Sequence, residues 1–177
     1  MKLFKKLLVV LFVVFIASCS SNDTTSEIFT LTNANIAGTY NIGSLNIDLK
    51  ATAITSGVPV TISTAKNIGD TFQVDFVMNV NGTYTASGQY RVVTTVTPIT
   101  GAPITNSEIV VFSDSGSYNV NATTNEIGFT SKTDEFLDGT FKVTVFNENT
   151  FTLTQEFEEV DGSITTNGDA EVSFVRK

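Results

Sequence analysis

The sequence predicts an all-β domain of antiparallel strands joined by hairpins, and three observations carry that prediction. Beyond residue 28, Thr, Val, Ile and Phe dominate, and turn residues recur at short intervals. No segment there sustains helical periodicity. Residues 71–80 alternate, with Phe72, Val74, Phe76, Met78 and Val80 on one parity and Val77 the one break, which is the pattern of a strand with one buried face.

Each element follows from the same pattern. Asn81-Gly82 is read as a tight turn, since this pair best tolerates two positive φ angles. The return strand covers residues 83–97 and places Tyr84, Ala86, Gly88, Tyr90 and Val92 on one face. The opening strand, residues 36–50, changes phase: Ile36, Tyr40 and Ile42 share one parity, Leu45, Ile47 and Leu49 the other. A bulge at Gly43-Ser44 would keep both sets facing inward, as a curling strand requires. Further strands are expected at residues 58–64, 108–112, 117–122, 126–130, 139–146, 150–158 and 169–176. Residues 131–139, SKTDEFLDG, read as a loop or a single helical turn starting at Thr133. The longest loop is TPITGAPITN, because Pro98 and Pro103 cannot donate within a central ladder. The count is eight to ten strands, and alternation alone fits either a sandwich or a barrel.

The N-terminus has a different character. Lys2, Lys5 and Lys6 precede an apolar run from residue 7 to 17, and Ala17 and Ser18 lead into Cys19, the single cysteine. The order of zones is that of a secretory signal. Eleven apolar residues fall short of the about 20 that a membrane-spanning helix needs. Ile16-Ala17-Ser18-Cys19 resembles the lipobox of bacterial lipoproteins. The resemblance implies cleavage before Cys19, lipid on its sulfur, and membrane attachment through that lipid. With Ser20 rather than Asp after the cysteine, it points to the outer membrane of the cell envelope. Residues 1–18 are then the signal peptide, 19–27 the lipidated cysteine and a flexible tether, and 28–177 one domain. The tether sequence SSNDTTS would reach about 15 Å as a random coil.

A second resemblance selects the barrel. IAGTYNI, residues 36–42, is similar to the Gly-x-Trp opening of lipocalin-like barrels, with Tyr40 in the place of Trp. SFVRK supplies Arg176, where that family often packs a C-terminal arginine across the opening aromatic. VNGTYTASGQYR and NENTFTLTQE also resemble phrases of lipocalin-like lipoproteins from Bacteroidetes-type bacteria. The family implies an up-and-down antiparallel β-barrel closed by contact between Tyr40 and Arg176. A cation over an aromatic face contributes about 0.5–2 kcal/mol.

Charge and composition narrow the chemistry. Residues 1–18 hold three lysines and no acid, which leaves 7 basic against 18 acidic side chains, a net charge of −11. That balance argues against nucleic acid and against electrostatic binding to anionic lipid. The chain has no histidine and no tryptophan, so a His-based triad, a free cysteine nucleophile and a zinc site of His or Cys ligands have no residues to build on. Glu156 and Glu158 share a strand face opposite Phe151, Leu153 and Phe157, and that face is read as solvated rather than as a glycosidase pair. Calcium near Asp134, Glu135 and Asp138 would not follow EF-hand spacing. The reading is therefore non-enzymatic, cofactor-free and monomeric.

Two binding functions remain. Phe72, Phe76, Tyr84, Tyr90, Tyr118, Phe129, Phe141, Phe151, Phe157 and Phe174 lie on apolar parities and are the candidates to line a lumen for a small hydrophobic ligand, or else to pack the interior solid, the default for an aromatic stripe. Such a lumen would need roughly 300–1,000 Å³. The alternative is a surface interaction domain contacting glycans or envelope proteins through loops such as residues 97–107.

Overall fold

A computed structural model describes residues 29–133 and 137–177. The leader, Cys19 and the tether lie outside the described residues, as do Asp134 and Glu135. The described chain is all-β apart from one short helix, α1 (Asn33–Ile36), which Thr32 caps by accepting from the Asn35 amide at 3.2 Å.

Eight strands follow: β1 (Gly38–Thr55), β2 (Val58–Met78), β3 (Thr83–Pro98), β4 (Ile104–Asn121), β5 (Glu126–Ser131), β6 (Gly139–Phe146), β7 (Thr150–Asp161) and β8 (Ile164–Arg176). Each pairs antiparallel with its neighbours in sequence, and β1 pairs with β8, so the sheet closes into a barrel. The sequence predicts more and shorter strands. Residues 58–64 and 71–78 prove to be parts of one 21-residue strand, β2, with Asn79 and the exposed Val80 in the turn after it, and residues 108–112 and 117–121 parts of one 18-residue strand, β4. What looks like a break within β2 is a bulge: Thr71 takes φ 53° and the register against β3 shifts between Asp70 and Gln73. The proline-rich loop is also shorter than expected, because β3 runs through Pro98 and β4 starts at Ile104.

Two smaller expectations need correction. Ile36 belongs to α1 and not to the opening strand, which starts at Gly38. The turn after β2 is wider than two residues: Asn79 donates to the Thr83 carbonyl at 2.8 Å and Gly82 to the Asn79 carbonyl at 3.0 Å. Only Gly82 there has positive φ, at 80°; Asn81 instead accepts from the Thr83 amide and hydroxyl. The bulge at Gly43 is present, with register shifts around it on both the β2 and β8 sides, so Ile42 and Leu45 both face the interior.

Strand length divides the barrel into two tiers. Near the chain entry all eight strands contribute, and the interior there is packed with rings. Phe174 lies 4.4 Å from Phe151 and 4.7 Å from Phe76, and Phe129 meets Tyr84 and Phe141 edge-on. Beyond the tops of β5 and β6, which have six and eight residues, only β7, β8 and β1–β4 continue.

Candidate functional site

The two ends of the barrel differ in chemistry. At the closed end, the Arg176 guanidinium carbon sits 4.9 Å from the centroid of the Tyr40 ring. β1–β8 pairing sets this up by placing the two residues opposite each other. The guanidinium also donates to three carbonyls, those of Glu148, Ala37 and Asn35, at 2.8, 2.7 and 2.6 Å. One side chain thereby ties β8 to α1 and to the β6–β7 turn. Gly38 leaves it room, since a Cβ there would collide with Nη1. The Tyr40 hydroxyl donates to the Ile36 carbonyl at 2.6 Å, and burial raises its pKa against the lowering effect of Arg176. Tyr118 seals the neighbouring corner by donating to the Asn79 carbonyl at 2.6 Å, and burial pushes its phenol up to about 12. Phe29, the first described residue, packs on Phe146 at 4.8 Å, so the chain enters at this end.

The ten aromatic candidates separate into two groups. Phe76, Tyr84, Tyr118, Phe129, Phe141, Phe151 and Phe174 are buried against one another and fill the lower barrel. Phe72, Tyr90 and Phe157 stand higher and are partly exposed, Phe72 stacking on Tyr90 at 5.7 Å. The apolar space that remains is a recess of about 180 Å³ between Leu45, Ile47, Leu137, Leu153, Phe157 and Val172. It is smaller than the lumen a drug-sized ligand needs, because the phenylalanines occupy that volume themselves.

Above the packed tier sits a residue that sequence reasoning missed. Asp114 is 3% exposed on the inner face of β4. It accepts from the hydroxyls of Tyr84, Ser131 and Thr133 at 2.9, 2.7 and 2.9 Å. Burial raises its pKa, but these donors and the Ser115 amide outweigh burial and hold it below the ordinary carboxylate value. Burial and the hydrogen bond to Asp114 push the Tyr84 phenol upwards. The carboxylate therefore fastens the β5–β6 connection over the barrel wall, where Leu137 is also buried. The available signal was a lone acid on the parity of Phe112 within VFSDSGS.

The far end presents apolar hairpin tips. Ile54 and Val58 on the β1–β2 tip, Ile99 and Ile104 on the β3–β4 tip, and Val160 on the β7–β8 tip are each 59–66% exposed. The outer wall below them is polar across β7, β8, β1 and β2 at the level of Asp48. Glu156, Asp169, Asp48 and Lys66 occupy one rung across β7, β8, β1 and β2, with Lys66 3.7 Å from Asp48. Glu156 and Glu158 lie on this solvated face. Among the described residues, no group of three His, Cys, Asp or Glu could hold a metal ion. Asp138, from the calcium candidates, accepts from the Ser131 amide at 3.1 Å. No family model, curated protein or solved structure matches the chain.

Proposed function

We propose that this protein is a lipid-anchored cell-envelope protein, with a lipocalin-like barrel, that performs no catalysis and uses its far end to bind a protein partner. The carrying observation is the placement of exposed Ile and Val side chains on three hairpin tips at one end, opposite the end where the chain enters. Apolar side chains gathered in this way mark interaction surfaces. Lipid on Cys19 would tether the closed end, so the tips would point away from the bilayer. The packed lower tier suits this role, since it gives a rigid stem that needs no ligand to fill it.

The experiment is site-specific photocrosslinking in the producing cell. Crosslinkers at Val58, Ile99 and Val160 should form discrete protein adducts, whereas crosslinkers at Asn147 and Asn81 should not. Adducts confined to the closed-end positions, or adducts to lipid alone, would refute the proposal. Cys19→Ser separately tests the anchor, and the variant should leave the membrane fraction. A second reading has one observation in its favour. The 180 Å³ recess, with Phe157 at its margin, is large enough for a small apolar group, and co-purification of such a molecule in native mass spectrometry would support it.

A further inference from the structure

We infer that the edge of β4 at residues 104–111 docks an extended segment of another protein, in which apolar and basic residues alternate. The inference rests on the interaction reading above and adds the site, the binding mode and the partner's chemistry.

β4 pairs with β3 from Ile104 to Ser117 but with β5 only from Gly116 to Asn121. Among the described residues, the stretch 104–111 therefore has a ladder partner on one side alone. Two hydrogen bonds fix which backbone groups face the other side. The Tyr118 amide donates to Gly82 next to β3, and the Ser115 carbonyl accepts from Lys132 after β5. Alternate residues of a strand direct their backbone groups to opposite sides. Thr105, Ser107, Ile109 and Val111 accordingly aim their N–H and C=O groups at the edge. Eight residues at about 3.4 Å each give a template about 27 Å long.

This edge lacks the usual protection. Edge strands are normally blunted by charge, proline or shortness. Residues 104–111 carry one charge, Glu108, and no proline, while Ile109 and Val111 are 59% and 73% exposed. The other flank of the same opening is guarded. β7 above Thr154, where its pairing with β6 ends, carries Glu156, Glu158, Glu159 and Asp161. An extended peptide added to β4 gains main-chain hydrogen bonds, and its alternate side chains set specificity.

Charge selects the occupant. By register, Glu108 on β4 and Glu159 and Asp161 on β7 share the inner face, whereas Ile109 and Val111 share the outer one. An added strand would meet carboxylates with one set of side chains and aliphatic surface with the other. Lysine or arginine satisfies the first set and valine or isoleucine the second. A second copy of this chain would instead bring its own −11 of charge beyond residue 18, so attraction favours a basic partner.

The test uses the full chain and a labelled nine-residue peptide alternating valine and lysine, titrated by fluorescence anisotropy. Saturable, salt-weakened binding is expected, with none from a valine–glutamate peptide or from a proline-interrupted peptide of the same charge. Ile109→Pro removes an edge donor and leaves the β3 ladder whole, so it should weaken binding about tenfold or more. Ile109→Lys, which keeps the backbone and adds repulsion, should weaken it several-fold and carries the test if the proline variant does not fold. Absence of peptide binding, or equal affinity in both variants, overturns the inference; continued crosslinking from the hairpin tips would then leave the interaction reading standing. A dimer in sedimentation that Ile109→Pro abolishes would give the edge to a second copy and overturn the basic-partner assignment.

Discussion

Replacing Asp114 isolates the contribution of one buried carboxylate. In Asp114→Ala, three hydroxyls lose their acceptor at 2.7–2.9 Å. A hydrogen bond to a charged group contributes about 1.5–3 kcal/mol, but the three losses do not simply add. Tyr84 retains the Leu137 carbonyl, at 3.1 Å, and Thr133 is exposed enough to turn towards water. The expected cost is about 2–4 kcal/mol. Asp114→Asn should cost less, about 1–2 kcal/mol, because its amide can be satisfied: the oxygen accepts from Ser131 and Thr133, and the nitrogen donates to Tyr84. The pH dependence has a definite sign. The folded-state pKa is lowered below 3.8, so the stabilisation is present above the unfolded value and is lost as pH falls through the folded one. Urea melts of the wild type and both variants at pH 7 and at pH 3 provide the assay. The gap between wild type and Asp114→Asn should narrow in acid. Parallel pH dependence, or Asp114→Ala as stable as wild type at pH 7, would refute the reasoning.

The other predictions address the two tiers. Arg176→Ala should cost about 2–4 kcal/mol, from a cation–π contact and three charge-assisted hydrogen bonds, and Arg176→Lys should recover less than half of this, because an ammonium lacks the planar fork; urea melts decide both. Gly38→Ala should act through the same residue by displacing the guanidinium, which reduced Arg176 sensitivity in the double variant would reveal. Phe76→Ala should cost about 3–5 kcal/mol as a core deletion, whereas Phe157→Ala, at a site 39% exposed, should cost well under half as much. Amide exchange should be slower at residues 74–78 of β2 than at residues 58–62 of the same strand. Uniform protection along β2 would show that the tiers do not differ in stability.

Period-two alternation and paired turns made the hairpin of β2 and β3 legible, as did β6, whose bounds match the expectation from sequence. The bulge at Gly43 was legible because a phase change in apolar parity needs a physical cause. The unity of β2 was not. Its middle, AKNIGDT, has few large apolar residues, and a short-range reading takes such a segment for a connection. The chain remains extended there because β1 and β3 pair with it on both sides, a tertiary effect that no local window contains. The same holds for GAPITNSE, where β3 supplies the ladder that extends β4 down to Ile104. Parity placed the aromatics on the inside, but whether they line a space or fill it depends on ring-to-ring distances. Asp114 escaped notice because a single acid on an inward parity gains its meaning only from Tyr84, Ser131 and Thr133, which are 30, 17 and 19 residues away in sequence and come beside it only through strand pairing.

The unequal strand lengths give one small barrel a packed stem and a rim with open sheet edges. Eight strands around a core of phenylalanine and tyrosine concentrate the buried apolar surface in the lower tier. The upper tier loses two strands and gains two sheet edges, which would invite indiscriminate pairing if both were bare. Carboxylates at Glu156, Glu158, Glu159 and Asp161 close the β7 edge to acidic and neutral strands alike, by repulsion in one case and by the cost of stripping water from four charges in the other. The β4 edge has no such charge run, so a strand arriving there meets backbone donors and acceptors with aliphatic side chains beside them. On the docking proposal, guarding one edge and leaving the other bare would turn an aggregation hazard into a single polarised docking line, and the acids that guard β7 would also select the charge of a strand lying along β4.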